Sequence, residues 1–86
     1  MARNKSKRNS KSKIRNNIRR LRFEADEMTQ QALADKVGVS RQTIVAIEKG
    51  NYSPSLELAF RMARAFRTPL EEVFMYEEAD SENTGT

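Results

Sequence analysis

The 86-residue sequence predicts an all-α fold, a compact domain of five short helices around one core. Three observations predict it. Apolar residues recur three or four positions apart from residue 14 to residue 76, the spacing that gathers them on one side of a helix. The breaks in that pattern fall at Thr, Ser, Gly and Pro residues placed where helices begin and end. No stretch reads as a strand.

Residues 1–13, "MARNKSKRNSKSK", hold two apolar residues among Lys, Arg, Asn and Ser, too few to offset the entropy of ordering, and are expected to form a flexible basic arm. Ile14, Ile18 and Leu21 then stand at i, i+4 and i+7 and predict a first helix that ends near Ala25 or Asp26. Thr29 can cap a second helix, which carries Leu33, Ala34 and Val37 inward. Gly38 supplies a left-handed closing position, Val39 is the apolar residue of the turn, and Ser40 caps a third helix from Arg41 to Glu48 that ends at Gly50. Ser53-Pro54-Ser55 starts a fourth, striped by Ala59, Met62, Ala63 and Phe66. Thr68-Pro69-Leu70-Glu71 reads as a capping box with Pro at the first helical position, opening a fifth helix with Leu70, Val73 and Phe74. Residues 77–86, "EEADSENTGT", fail the ordering test as the arm does and form an acidic tail, so the folded domain is expected over 14–76.

Composition narrows what such a domain can do. The chain has no Cys and no His, which removes disulfides, thiol chemistry, the usual zinc ligand sets and the commonest general base. Its dispersed carboxylates form no catalytic constellation, so no enzyme, metal or cofactor is expected. A chain of this length buries a modest core and no large substrate cavity. The longest apolar runs are a few residues, far below the roughly 18 of a membrane span, and the polar N-terminus lacks the apolar centre of a signal peptide. A soluble, cytoplasmic protein is therefore expected.

Charge is strongly asymmetric. Residues 1–22 hold ten Lys and Arg and no acid, residues 23–67 hold six of each sign, and residues 68–86 hold six acids and no base. A basic end of this kind points to a polyanion. Membrane binding wants apolar anchors in the arm, which are missing, and RNA reading wants stacking aromatics, while no Phe or Tyr falls among residues 1–22.

The stretch "SRQTIVAIEKG", residues 40–50, shows where contact would be made. At 100° per residue Ile44 and Ile47 share one face with Glu48 beside them, while Gln42, Val45 and Ala46 point the other way. A solvated face is normally filled with Lys and Glu. This one offers an amide, two small apolar side chains and an Arg at the helix start, a surface suited to touching something.

Two short helices joined by a turn of Gly, an apolar residue and a capping Ser form a helix-turn-helix arrangement. The segment "TQQALADKVGVSRQTIVAIEKG" resembles the Cro and phage-repressor type of helix-turn-helix, the XRE family of small transcriptional regulators, and the resemblance extends over about residues 14–76. It departs from the family pattern in the first inter-helix turn, "EADEMTQ", which is one residue longer and lacks a Gly, and at Ala32, where many members carry Glu.

The resemblance implies a sequence-specific regulator that binds double-stranded DNA with helix 41–48 in the major groove. Gln42 is the best base reader, since an amide can pair both edges of adenine. Arg41 would reach guanine or a phosphate, Thr43 would serve backbone or base, and Val45 and Ala46 would meet thymine methyls or simply avoid a clash. Gln30 resembles the family's phosphate-binding glutamine, and Ser40, Lys49, Asn51 and Tyr52 are the further phosphate candidates, Tyr52 being equally suited to lie as a lid on the core. Glu48, beside the buried stripe, needs a cationic partner, and Arg22 is the residue that matches the family's arginine for this structural pair. Arg3, Lys5, Lys7, Arg8, Lys11 and Lys13 of the arm either follow the DNA or act as a solubilising extension. A homodimer is expected, because one short recognition helix reads few base pairs and Leu58, Phe60, Phe74, Met75 and Tyr76 offer more apolar surface than so small a core needs. The alternative reading is an antitoxin-type interaction module that binds a partner protein and autoregulates its operon.

Overall fold

Three hydroxyl side chains set the starts of the three main helices. Thr29 accepts the backbone N–H of Ala32 at 2.9 Å, Ser40 that of Thr43 at 3.2 Å, and Ser55 that of Leu58 at 3.1 Å. Each satisfies a donor that the helix cannot, worth about 1 kcal/mol. The structure, a computed structural model, describes residues 13 to 77. The chain runs β1 (Ile14–Asn16), α1 (Ile18–Glu24), α2 (Gln30–Val37), α3 (Arg41–Glu48), α4 (Leu56–Phe66), α5 (Leu70–Val73) and β2 (Phe74–Tyr76). Apart from Lys13 the expected basic arm, and apart from Glu77 the expected acidic tail, lie outside the described residues.

The all-α expectation needs correction. The five helices are joined by a small antiparallel sheet in which Ile14 faces Tyr76, Arg15 faces Met75 and Asn16 faces Phe74. The first helix accordingly begins at Ile18 rather than at Ile14. Ile14 satisfies helical spacing with Ile18 and Leu21, but the backbone of residues 14–16 finds its partners about 60 residues away in the chain, and three-residue strands are too short to show a period of two. Two asparagines secure the junction. Asn17 donates its backbone N–H to the Val73 carbonyl at 3.0 Å and its side-chain amide to that of Glu72 at 2.8 Å. Asn16 accepts the Ile18 N–H at 3.1 Å and donates to the Ile47 carbonyl at 3.0 Å, which ties the strand to the end of α3.

Between α1 and α2 the chain turns through Asp26 (φ 64) and Glu27 (φ 58), two consecutive left-handed residues where no Gly is available. They persist because the turn is held on both sides. Glu27 N–H donates to Phe23 at 3.0 Å, Met28 N–H donates to Arg22 at 2.8 Å, and the Arg22 guanidinium returns a bond to the Met28 carbonyl at 2.8 Å.

Gly38, at φ 81, closes α2 by donating to the Ala34 carbonyl at 2.8 Å. A Cβ there would also sit 3.3 Å from an Arg61 guanidinium nitrogen, which donates to the Val37 carbonyl at 3.1 Å and so fastens α4 to the turn between α2 and α3. The fifth helix starts one residue later than the capping-box reading: Pro69 (φ −64, ψ 151) occupies the cap, with no side-chain bond, and Leu70 is the first helical residue. Thr68 is taken up by the end of α4, its N–H donating to the Ala63 carbonyl at 3.0 Å.

All helices and the sheet junction meet in one core. Ile18, Leu33, Val37, Ile44, Ile47, Met62 and Val73 are fully or almost fully buried, with Leu21, Ala34, Leu58, Ala59 and Ala63 around them. Phe66 and Phe74 lie half-buried against it. Each large aliphatic side chain removed from water contributes about 1.5 to 3 kcal/mol, so the burial of Ile44 and Ile47 decides which side of α3 is left for solvent.

Candidate nucleic-acid interface

With those two isoleucines inward, α3 turns Arg41 and Gln42 to solvent and leaves Thr43, Val45 and Ala46 half-buried. Thr43 shares a 3.1 Å hydrogen bond with the Ser40 hydroxyl, which also caps the helix, so both side chains already have a structural partner. Gln42 is exposed and has no side-chain hydrogen bond among the described residues.

Glu48, on the flank of the same helix, is the hub of a polar cluster. Its carboxylate accepts Arg22 Nε at 2.7 Å and Nη2 at 3.3 Å, a two-pronged contact in which both side chains are largely shielded, 11% of Glu48 and 16% of Arg22 being exposed. The fork geometry suits a charge pair taken out of water. Gln30, the first residue of α2, donates its amide nitrogen to the same carboxylate at 3.3 Å. One cluster therefore links α1, the start of α2 and the end of α3. Gln30 keeps its second amide hydrogen for another acceptor, since a carboxamide carries two.

Lys49, Asn51 and Tyr52 follow α3 and are exposed. Gly50 (φ 82) and a 3.0 Å bond from Asn51 N–H to the Ala46 carbonyl turn the chain there. Tyr52 is 53% exposed and does not cover the core. Of the arm, Lys13 is described, and its carbonyl accepts Glu77 N–H at 2.8 Å; Arg3, Lys5, Lys7, Arg8 and Lys11 lie outside the described residues. Asn16 is bonded to the end of α3, and Ile14 lines one open pocket with Lys49 and Gly50.

An open groove runs between α1, the start of α2 and the length of α3, lined among others by Arg19, Arg22, Gln30, Arg41, Val45, Glu48 and Lys49. The sequence reading left out Arg19, although it stands three residues before Arg22 on the same helical face. It also left out Asn16, whose role depends on strand pairing.

The apolar residues expected to exceed the needs of the core divide. Leu58 is a core residue, 8% exposed, and offers no surface. Phe74 is half-buried on the core, whereas Phe60, Met75 and Tyr76 are exposed. Leu56, which the sequence reading passed over, is 68% exposed one helical turn before Phe60 on α4. Among the described residues no helix is long and apolar enough to cross a membrane.

Residues 13–73 match the helix-turn-helix family HTH_3. Over 51 residues the chain is 59% identical to an uncharacterized HTH-type transcriptional regulator of Methanocaldococcus jannaschii, covering 59% of this chain and 77% of that protein. It is 45% identical over 65 residues to the uncharacterized HTH-type transcriptional regulator YgzD of Bacillus subtilis, covering 76% of this chain and 97% of YgzD. It is also 39% identical over 56 residues to the cryptic phage CTXphi transcriptional repressor RstR of Vibrio cholerae, covering 65% of this chain and 50% of RstR.

Proposed function

The chain belongs to the helix-turn-helix family, and from that premise we propose that it is a transcriptional regulator that binds a specific double-stranded DNA operator as a homodimer, with α3 in the major groove. The observation that carries this reading is the outer face of α3. Gln42 is exposed with both ends of its amide unengaged, Arg41 precedes it, and Val45 and Ala46 beside them are small enough for base edges to approach. Gln30 supports the reading from α2: Glu48 holds its amide, and one hydrogen remains for a phosphate oxygen. Lys49, Asn51 and Tyr52 line the end of the same helix, at the height of the adjoining backbone, and Ile14, the start of β1, lies by that end.

A second copy of the chain doubles the few base pairs that an eight-residue helix can read. Exposed Leu56 and Phe60 on α4, with Met75 and Tyr76 on β2, are the surface on which it would seat. Occupancy of an operator overlapping a promoter would repress; the names of the relatives, a phage repressor among them, support regulation as the output.

Selection of bound duplexes from a random pool tests the reading as a whole. The expected product is a two-fold related sequence with half-sites about 34 Å, or ~10 base pairs, apart. Recovery of no sequence preference, or a monomeric mass at micromolar concentration with a single half-site, would overturn it. Stable co-purification with a small basic protein in place of self-association would move the reading to the antitoxin-type module.

A further inference from the structure

Half of the described arginines have a carboxylate within reach: Arg15 has Glu77, Arg20 has Glu24 and Glu72, Arg22 has Glu48, and Arg61 has Glu57. Others stand in no salt bridge among the described residues, and their places differ. Lys36, Lys49, Arg64 and Arg67 sit in the last turns or at the caps of α2, α3 and α4, where the helix carbonyls favour a cation. Arg19 and Arg41 sit at the opposite ends, as the second residue of α1 and the first of α3, and neither helix has an acid in its first turn. A cation there is opposed by the helix dipole and by any cation nearby. These two line one groove, together with Gln30, Lys49 and the Arg22–Glu48 pair. Arg19 has no acid one turn away on its own helix either, the residues at those positions being Arg15, Asn16, Arg22 and Phe23.

Positive charge gathered against local stability, in an open groove whose lining carboxylate, Glu48, is already taken by Arg22 and Gln30, calls for an anion supplied from outside. We propose that Arg19 binds a DNA backbone phosphate, so that α1, which lies outside the helix-turn-helix unit, grips the strand that borders the groove entered by α3. The inference rests on α3 being the DNA-reading helix. Arg20, its neighbour, is neutralised by Glu24 and Glu72 and takes no part.

Phosphate contacts act on every sequence alike, so the probe is a labelled duplex of about 30 base pairs of mixed sequence, long enough for two half-sites a helical turn apart. Titration of the full-length protein at several salt concentrations gives the slope of log affinity against log salt. Arg19→Ala and Arg19→Gln are each expected to make that slope shallower by about 0.9 per protomer, ~1.8 for a dimer. Arg19→Lys should restore it and Arg20→Ala should leave it as in the wild type. Melting temperatures close to the wild type in all four variants would show that folding is not at issue, as expected for exposed side chains. A wild-type slope in Arg19→Ala and Arg19→Gln overturns the proposal while leaving the DNA-binding reading intact, and so does an equal loss in Arg20→Ala, which would mark a diffuse effect of net charge. A wild-type protein that binds no duplex at any salt concentration removes the reading of α3 and this site together.

Discussion

The first three helices and the last two obey opposite rules at their N-termini. α4 and α5 begin with Glu57 and with Glu71 and Glu72, the acids that a helix dipole favours. α1, α2 and α3 have no acid in the first turn, and α1 and α3 place Arg19, Arg20 and Arg41 there instead. The surfaces differ in the same way. Around α4 and β2 the exposed side chains include Leu56, Phe60, Met75 and Tyr76, and nearby charges are partly matched, as in Arg61 with Glu57 and Arg15 with Glu77. Around α3 the exposed residues are polar or charged apart from Tyr52, and in the groove Arg19, Arg41 and Lys49 stand beside the Arg22–Glu48 pair in no salt bridge among the described residues. The half that completes the fold follows helix stability, and the half proposed to meet DNA gives some of it up to stay positive. Stability and function are therefore separable by mutation, and the separation can be tested.

The largest expected effect falls on the residue that ties the first three helices together. Glu48→Ala strands the shielded Arg22 guanidinium and releases Gln30, and breaking a buried pair of this kind costs about 3 to 5 kcal/mol. Chemical denaturation without DNA should show the loss, and an unchanged midpoint would mean that the pair adds nothing to the fold. Gln42→Ala, on the same helix, touches function and not the fold. It should leave the unfolding midpoint in place, weaken operator binding by about 1 to 3 kcal/mol and relax preference at one base position; identical specificity profiles for wild type and variant would remove Gln42 from base reading.

Glu27→Gly probes the turn between α1 and α2, inside the first half. Relief of a left-handed non-glycine residue should raise stability by about 1 kcal/mol, less the entropy that Gly restores to the unfolded chain, with no change in DNA affinity. A destabilised variant would show that the Glu27 backbone is held there without strain. The smallest stability effect is the sharpest test of the comparison, because its two readouts should move in opposite directions. Arg41→Glu should stabilise the domain by about 0.3 to 1 kcal/mol through the α3 dipole while weakening DNA binding at least about tenfold. If both fall together, the cation at the start of α3 serves the fold and the contrast between the two halves disappears.

Much of this architecture is readable locally. Thr29, Ser40 and Ser55 announce three helix starts, Gly38 announces one end, and the spacing of Leu33, Val37, Ile44, Ile47 and Met62 assigns the buried faces, because capping, left-handed closure and helical periodicity all act within a few residues. The outward set on α3, with Gln42 at its centre, follows from the same periodicity. Ile14 misleads for the same reason: its spacing to Ile18 is helical, and nothing nearby reveals that its backbone pairs with Tyr76.

By itself, then, the sequence determined the α2, α3 and α4 framework, the core they share and the face that α3 turns outward, all properties of neighbours along the chain. The tertiary structure alone decided the β1–β2 pairing, the tether from Asn16 to the end of α3, the burial of Leu58 beside the exposure of Leu56, and which arginines are neutralised. Arg19 and Arg20 are adjacent and chemically identical, yet Glu72, more than fifty positions away, reaches only Arg20. Charge neutralisation and strand pairing depend on distances through space, which spacing along the chain does not encode; periodicity places a side chain on a face, and only the fold decides what stands opposite it.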